Sequence, residues 1–142
     1  MNVCLKQART IISVAFVEGH ALGLQPLSVV VLDAGGHVVA FERQDGSSNM
    51  RFEIARGKAH GALALGVGSR ALMKRAEQQP YFIASVAEAI GGALVPVPGG
   101  VLIKDADGVT LGAVGATGDT SDNDEICAVA GAKAAGFTAD AG

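Results

Sequence analysis

Residues 94–125 read LVPVPGGVLIKDADGVTLGAVGATGDTSDNDE: a proline–glycine run, a hairpin, then a glycine-framed loop that enters a helix. Pro96 and Pro98 lack the amide donor that a central strand needs, so the run is read as edge or loop. Residues 101–104 and 109–116 are mostly β-branched, aliphatic or small, and they flank the turn Asp105-Ala106-Asp107-Gly108. That pattern predicts a hairpin. Gly118 and Asp119 then lead to a helix start at which Ser121 or Asp122 is the expected cap. Glu125, three residues after Asp122, loosely completes a capping box. Ile126, Val129, Ala130 and Ala134 are the expected apolar face of that helix, and the tail from Gly136 is expected to fray.

Working outward, residues 27–32 and 37–41 form a second expected hairpin around Asp33-Ala34-Gly35-Gly36. The two Asp-Ala-x-Gly turns read as one hairpin solution used twice, because the helices around them do not match. Residues 3–22 carry Cys4, Ala8, Ile11, Ile12 and Ala15 at helical spacing, and Gly23 and Pro26 end that helix, with His20 near its C-terminal dipole. A polar loop at 43–49 precedes a helix over residues 50–65, capped by Ser48 or Asn49 and with Glu53 in its first turn. Ile54, Lys58, Gly61, Ala62 and Leu65 share one face of it. Lys58 is therefore a charge on an apolar stripe. Gly57 and Gly61 each cost helix stability, about 1 kcal/mol relative to Ala, so a close approach is expected there. Gly66-Val67-Gly68-Ser69-Arg70-Ala71 mimics a dinucleotide fingerprint, but it follows a helix and lies outside any βαβ unit. Ser69 is instead the expected cap of a short helix through Ala76, and Pro80 begins another short segment to Ile90.

Composition narrows the function classes. One domain, residues 1–142, is the natural reading for 142 residues with 49% apolar and 18% charged content. A net charge of −3 without a basic stripe, and few aromatic residues, argue against nucleic acid. The absence of a long apolar run argues against a membrane span, and the start of the chain lacks a signal-peptide pattern, so the cytoplasm is the default. A core of small and aliphatic residues with 20 glycines favours self-association into a homo-oligomer. Cys4 and Cys127 stand far apart, without metal-ribbon or haem-attachment spacing, in helical patterns where a buried thiol is inert.

Three pieces then align: the Val30-Val31-Leu32-Asp33-Ala34-Gly35-Gly36-His37-Val38-Val39-Ala40-Phe41 hairpin, the Lys58-Ala59 helix, and Pro96-x-Pro98-Gly99-Gly100-Val101 followed by Gly112-Ala113-Val114-Gly115-x-x-Gly118 and Asp124-Glu125. Together they resemble the GlcG/HbpS-like family, labelled haem-degrading or haem-binding, which includes the C-terminal domain of PduO-type proteins. The resemblance spans nearly the whole chain. It implies a profilin-like α/β (α+β) fold: a five-stranded antiparallel sheet with helices packed against it, dimeric or assembled further. Some relatives bind haem, and one group senses haem and iron in an exported oligomer.

Against that background the residues suggest three functions. The first is a domain that binds a small ligand, with haem or another tetrapyrrole as the cofactor the family favours. His20, His37, His60, Met50, Met73 and Tyr81 are the available axial side chains. His60 lies on the Lys58 helix, although the two side chains point about 200° apart on an ideal helix. The second is a small catabolic enzyme in which Lys58, with Asp122 or Glu125, performs acid–base chemistry on an oxygenated metabolite. For Lys58 the leading single role is a structural ion bridge to Asp122 or Glu125. The third is an accessory oligomeric subunit. A ligand would meet Pro98, Gly99, Gly100, Gly118, Asp119, Ser121 and His60, where backbone amides and a helix N-terminus converge. The carboxylates at 119–125 lack the spacing of a calcium loop and are assigned to helix capping rather than metal. No Gly-x-Ser-x-Gly nucleophile motif is present.

Overall fold

A computed structural model describes residues 2–142, and its architecture follows from two hairpins laid side by side. The strands are β1 (Ser28–Asp33), β2 (Val38–Arg43), β3 (Gly100–Lys104), β4 (Thr110–Thr117) and β5 (Thr138–Asp140). They form one open sheet in the order β2-β1-β4-β3-β5, with every neighbouring pair antiparallel. The helices are α1 (Leu5–Ala21), α2 (Arg51–Leu65), α3 (Ser69–Gln78), α4 (Pro80–Ala89) and α5 (Ser121–Ala134). No helix among the described residues is long and apolar enough to cross a membrane.

Both faces of the sheet are covered, which explains why β1 is a continuous apolar run rather than an alternating one. Val29, Val31, Val101 and Val114 pack on one face beneath Ile11, Ile12 and Cys127 of α1 and α5. Val30, Leu32, Leu102 and Ala113 face the other way, against Ala55, Ala59 and Ala62 of α2. A third cluster, Leu72, Ile83 and Leu94, joins α3 and α4 to the run before β3.

The repeated hairpin turn is the same at atomic level. Asp33 Oδ1 accepts the amides of Gly35 and His37 at 2.9 Å each, and Asp105 Oδ1 accepts those of Asp107 and Val109 at 2.9 Å each. The fourth residue, Gly36 or Gly108, has φ of 84° or 81°, a conformation that glycine adopts without steric cost. The His37 amide bond is the largest cause holding the Asp33 carboxyl below its ordinary range.

Several local expectations shift. Thr120, rather than Ser121 or Asp122, caps α5 by accepting the Asn123 amide. Ser69 is the first residue of α3 and turns its hydroxyl to the Gly100 amide at 2.7 Å, so it ties α3 to β3 instead of capping. Met50 precedes α2 without a side-chain cap, while Ser48 accepts from Arg51 Nε. Cys4 is exposed and precedes α1, with its amide bonded to Gln7. Residues 138–140 do not fray, because they pair with β3 and Asp140 meets Lys104 at 2.6 Å.

Candidate functional site

Lys58 is buried, with 1% exposure. Its Nζ donates to Asp124 Oδ2 at 2.9 Å and to the Ala116 carbonyl at 3.0 Å. The other Asp124 oxygen accepts the Asp119 amide at 3.0 Å. These bonds join the middle of α2, the end of β4 and the first turn of α5 at one point. Burial pushes the Lys58 ammonium below its ordinary pKa and the Asp124 carboxyl above its own, while each charge works against the other's shift. The geometry supplies what a desolvated pair needs, a close counter-charge and hydrogen bonds for the remaining lone pairs.

This partner differs from the expected one. Asp122 and Glu125 do not reach Lys58: both bind Arg70 of α3, Glu125 through Arg70 Nε at 3.0 Å and Asp122 through Nη2. The reason is helical phase. The buried stripe of α5 is Asp124, Cys127, Ala128 and Gly131, not the expected set containing Ile126, which is 46% exposed. The signal for Asp124 was present, since it lies three, four and seven residues before small or apolar positions. Cys127 on that stripe has its thiol pushed up to about 11 by burial, which keeps it protonated and inert.

The remaining expected ligand residues close the Lys58 site rather than open it. Pro98, Gly99 and Gly100 are buried. A Cβ on Gly99 would lie 3.0 Å from Lys58 Nζ, and one on Gly100 would lie 2.2 Å from the Lys58 carbonyl oxygen. Gly57 and Gly61 likewise admit Val95 and Leu94, and Val95 donates to the Gly57 carbonyl at 3.0 Å. The close approach expected at those glycines is made by the chain itself. Gly118 rests on the Pro26 carbonyl, and Asp119 accepts the Gln25 amide at 3.0 Å and the Asn123 side-chain amide at 2.8 Å. Ser121 is half-buried at the start of α5. These contacts fill the space beside Lys58.

His60 is held by a 3.1 Å contact between Nδ1 and the Ala93 carbonyl. It borders a cavity of about 180 Å³ with Gly36 and Leu63. A much larger cavity, about 560 Å³, opens between the C-terminal end of α1 and the end of β2. Phe16, Leu24 and Pro26 contribute apolar wall, while His20, Arg43 and Gln44 contribute polar groups. Glu42 and Asp45 also border it. These residues come from the end of a helix, the loop after it and an edge strand, so no single stretch of sequence marks the cavity. Its floor is fixed by two loop contacts: Gln44 Oε1 accepts the Leu27 amide at 2.7 Å, and Asp119 holds Gln25.

A model of the family described as haem degrading protein HbpS-like matches residues 3–133. No curated protein sequence matches the chain. Among solved structures, a PduOC:heme complex superposes with a TM-score of 0.85 at 21% identity, covering 97% of this chain and 98% of that one. A double mutant of HbpS from Streptomyces reticuli gives 0.80 at 25% identity, covering 94% and 86%. The Klebsiella pneumoniae protein ORFY gives 0.83 at 19% identity, covering 94% and 90%. The first and third of these likenesses show a shared fold.

Proposed function

The chain belongs to the haem-degrading, HbpS-like family, and from that premise we propose that it binds haem or a related tetrapyrrole in the cavity between α1 and β2. The observation that carries the proposal is the 560 Å³ cavity with His20 on its wall. That volume falls within the roughly 300–1,000 Å³ of small-ligand sites, whereas the 180 Å³ beside His60 falls below it.

The lining is mixed, and its apolar part together with two of its polar side chains suits such a ligand. Phe16, Leu24 and Pro26 would offer surface to a flat apolar macrocycle, His20 would offer an imidazole to its iron, and Arg43 would offer a cation to its carboxylates. Glu42 and Asp45 would repel those carboxylates, so the acidic edge is expected to turn towards Arg43. Bound haem would supply an iron centre for redox or gas-ligand chemistry. The protein's own contribution is to orient the ring against Phe16 and exclude water from one face. Acid–base catalysis by Lys58 gains no support from this geometry, because its Nζ is sealed beneath Gly99 and already donates to two oxygens.

Titration of the purified protein with haemin, followed by absorbance, tests the reading. A Soret band saturating at one haem per chain is expected, with His20→Ala shifting or abolishing it and His60→Ala leaving it in place. Absence of any spectral change in excess haemin would overturn the proposal. An unaltered band in His20→Ala would overturn the site.

A further inference from the structure

Away from the haem cavity, a cleft of about 330 Å³ lies where the end of α2 meets α3 and α4. Leu65, Val67, Leu72 and Phe82 line it, and the exposed side chains of Lys74 and Arg75 border it. The cleft exists because Gly66, with φ of 71°, ends α2 in a left-handed turn. The chain then re-enters α3 after two residues, and the turn holds Val67 beside the cleft.

Arg75 is unusually prepared. Its guanidinium lies 4.2 Å from the Phe82 ring centroid, and its Nε donates to Gln79 Oε1 at 2.7 Å. Among the described residues its two terminal nitrogens have no hydrogen-bond partner, and Lys74 makes no ion pair. This differs from Arg70, the other arginine of α3, which is committed to Asp122 and Glu125. A guanidinium held by stacking and by one hydrogen bond presents a planar fork with little side-chain entropy left to lose. Such a fork matches a carboxylate in two parallel hydrogen bonds.

An apolar cleft bordered by a held guanidinium fork and a second cation is complementary to one kind of molecule. We propose that this cleft is a second binding site, for a monocarboxylate with an apolar alkyl or aryl body, such as a medium-chain fatty acid. The carboxylate sits on Arg75 with Lys74 beside it, and the body lies along Leu65, Val67 and Phe82. A cavity near the lower end of the small-ligand range suits a body of roughly octanoate size rather than a macrocycle. The site is independent of haem binding.

Octanoate is the probe, titrated into the full 15N-labelled chain at millimolar concentration. Amide shifts concentrated at Val67, Leu72, Arg75 and Phe82 are expected. Arg75→Glu is expected to weaken binding about fivefold or more, the scale of one exposed ion pair, and octanol to bind weaker than octanoate by a similar factor. Lys74→Glu, which alters an exposed side chain, is expected to weaken octanoate as well and serves should Arg75→Glu fail to fold. Both variants should keep the haemin response, and His20→Ala should keep octanoate binding, so the two sites stand or fall separately. Equal binding of octanol and octanoate, undiminished binding by both charge-reversal variants, shifts clustered at the α1–β2 cavity, or no titratable shift would each overturn the proposal.

Discussion

Lys58→Met is expected to lower the free energy of unfolding by about 3–5 kcal/mol, the usual cost of stranding one member of a buried ion pair. Methionine occupies most of the volume of the lysine stem, so the loss is electrostatic rather than a cavity effect. The substitution leaves Asp124, 1% exposed, with the Asp119 amide as its remaining hydrogen-bond donor. It also leaves the Ala116 carbonyl without the Lys58 donor. Urea denaturation of the variant beside the parent protein measures the effect, and a loss below about 1 kcal/mol would show that the pair does not hold α2 to α5.

The pH dependence has a definite sign. Burial raises Asp124 above its ordinary 3.8, and Lys58 is the largest influence restraining that rise. Without Lys58 the carboxyl titrates higher still. A carboxyl whose folded pKa lies above its unfolded value contributes stability that is present below the unfolded pKa and lost as pH rises through the folded one. The deficit of Lys58→Met should therefore be smallest in acid and grow towards neutral pH. Asp124→Asn should show the opposite trend. Burial lowers Lys58 from 10.5, and a depressed lysine contributes stability that is present above 10.5 and lost as pH falls through the folded value. Its deficit should shrink in alkali. The double variant Lys58→Met, Asp124→Asn keeps an acceptor for the Asp119 amide and leaves no buried charge. It is expected to recover at least half of the single-variant loss.

Lys58 was legible in sequence because a charge interrupts an otherwise apolar stripe on one helix. Its partner was harder to read for the same reason inverted: Asp124 stands among Asp122, Asn123 and Glu125, so it looks like one more solvated residue of a helix start. Only the phase set by Cys127, Ala128 and Gly131 separates it, and choosing Ile126 for the core rotates the helix by about 100°. Caps moved by a residue or two because Thr120, Ser121 and Asp122 are chemically similar acceptors, and the strand ends rather than local preference select among them. The hairpins were clear because their turn chemistry is local. β5 was not: Thr138, Ala139 and Asp140 acquire strand character only by pairing with β3. The α1–β2 cavity was invisible for a related reason, since His20 and Arg43 approach only after the sheet has placed β2 at its edge. His60 entered the expected site through its place on the glycine-bearing α2, whereas the fold places His20 on the wall of the larger cavity.

Gly115→Ala is expected to cost stability on the same scale as loss of Lys58, and it tests how α2 is seated. Gly100 and Gly115 are cross-strand partners on β3 and β4, so together they form a patch of sheet without side chains. The carbonyl oxygens of α2 rest in that depression. A Cβ on Gly115 would stand 2.0 Å from the Ala55 oxygen, and one on Gly100 would stand 2.2 Å from the Lys58 oxygen. Neither obstacle is a flexible side-chain end, so relief requires moving the helix. Moving α2 outward would lengthen the Lys58–Asp124 and Lys58–Ala116 bonds and loosen Ala55, Ala59 and Ala62 from the sheet. A cost of about 3 kcal/mol or more follows, at or above the upper end for an overpacked core. Gly66→Ala provides the contrast. It has open space around it but a φ of 71°, so its cost should be near 1 kcal/mol, from backbone strain alone. Thermal and urea unfolding of both variants decide the matter. If Gly115→Ala lost no more stability than Gly66→Ala, the helix would be free to ride above the sheet, and burial of Lys58 would not depend on the two facing glycines.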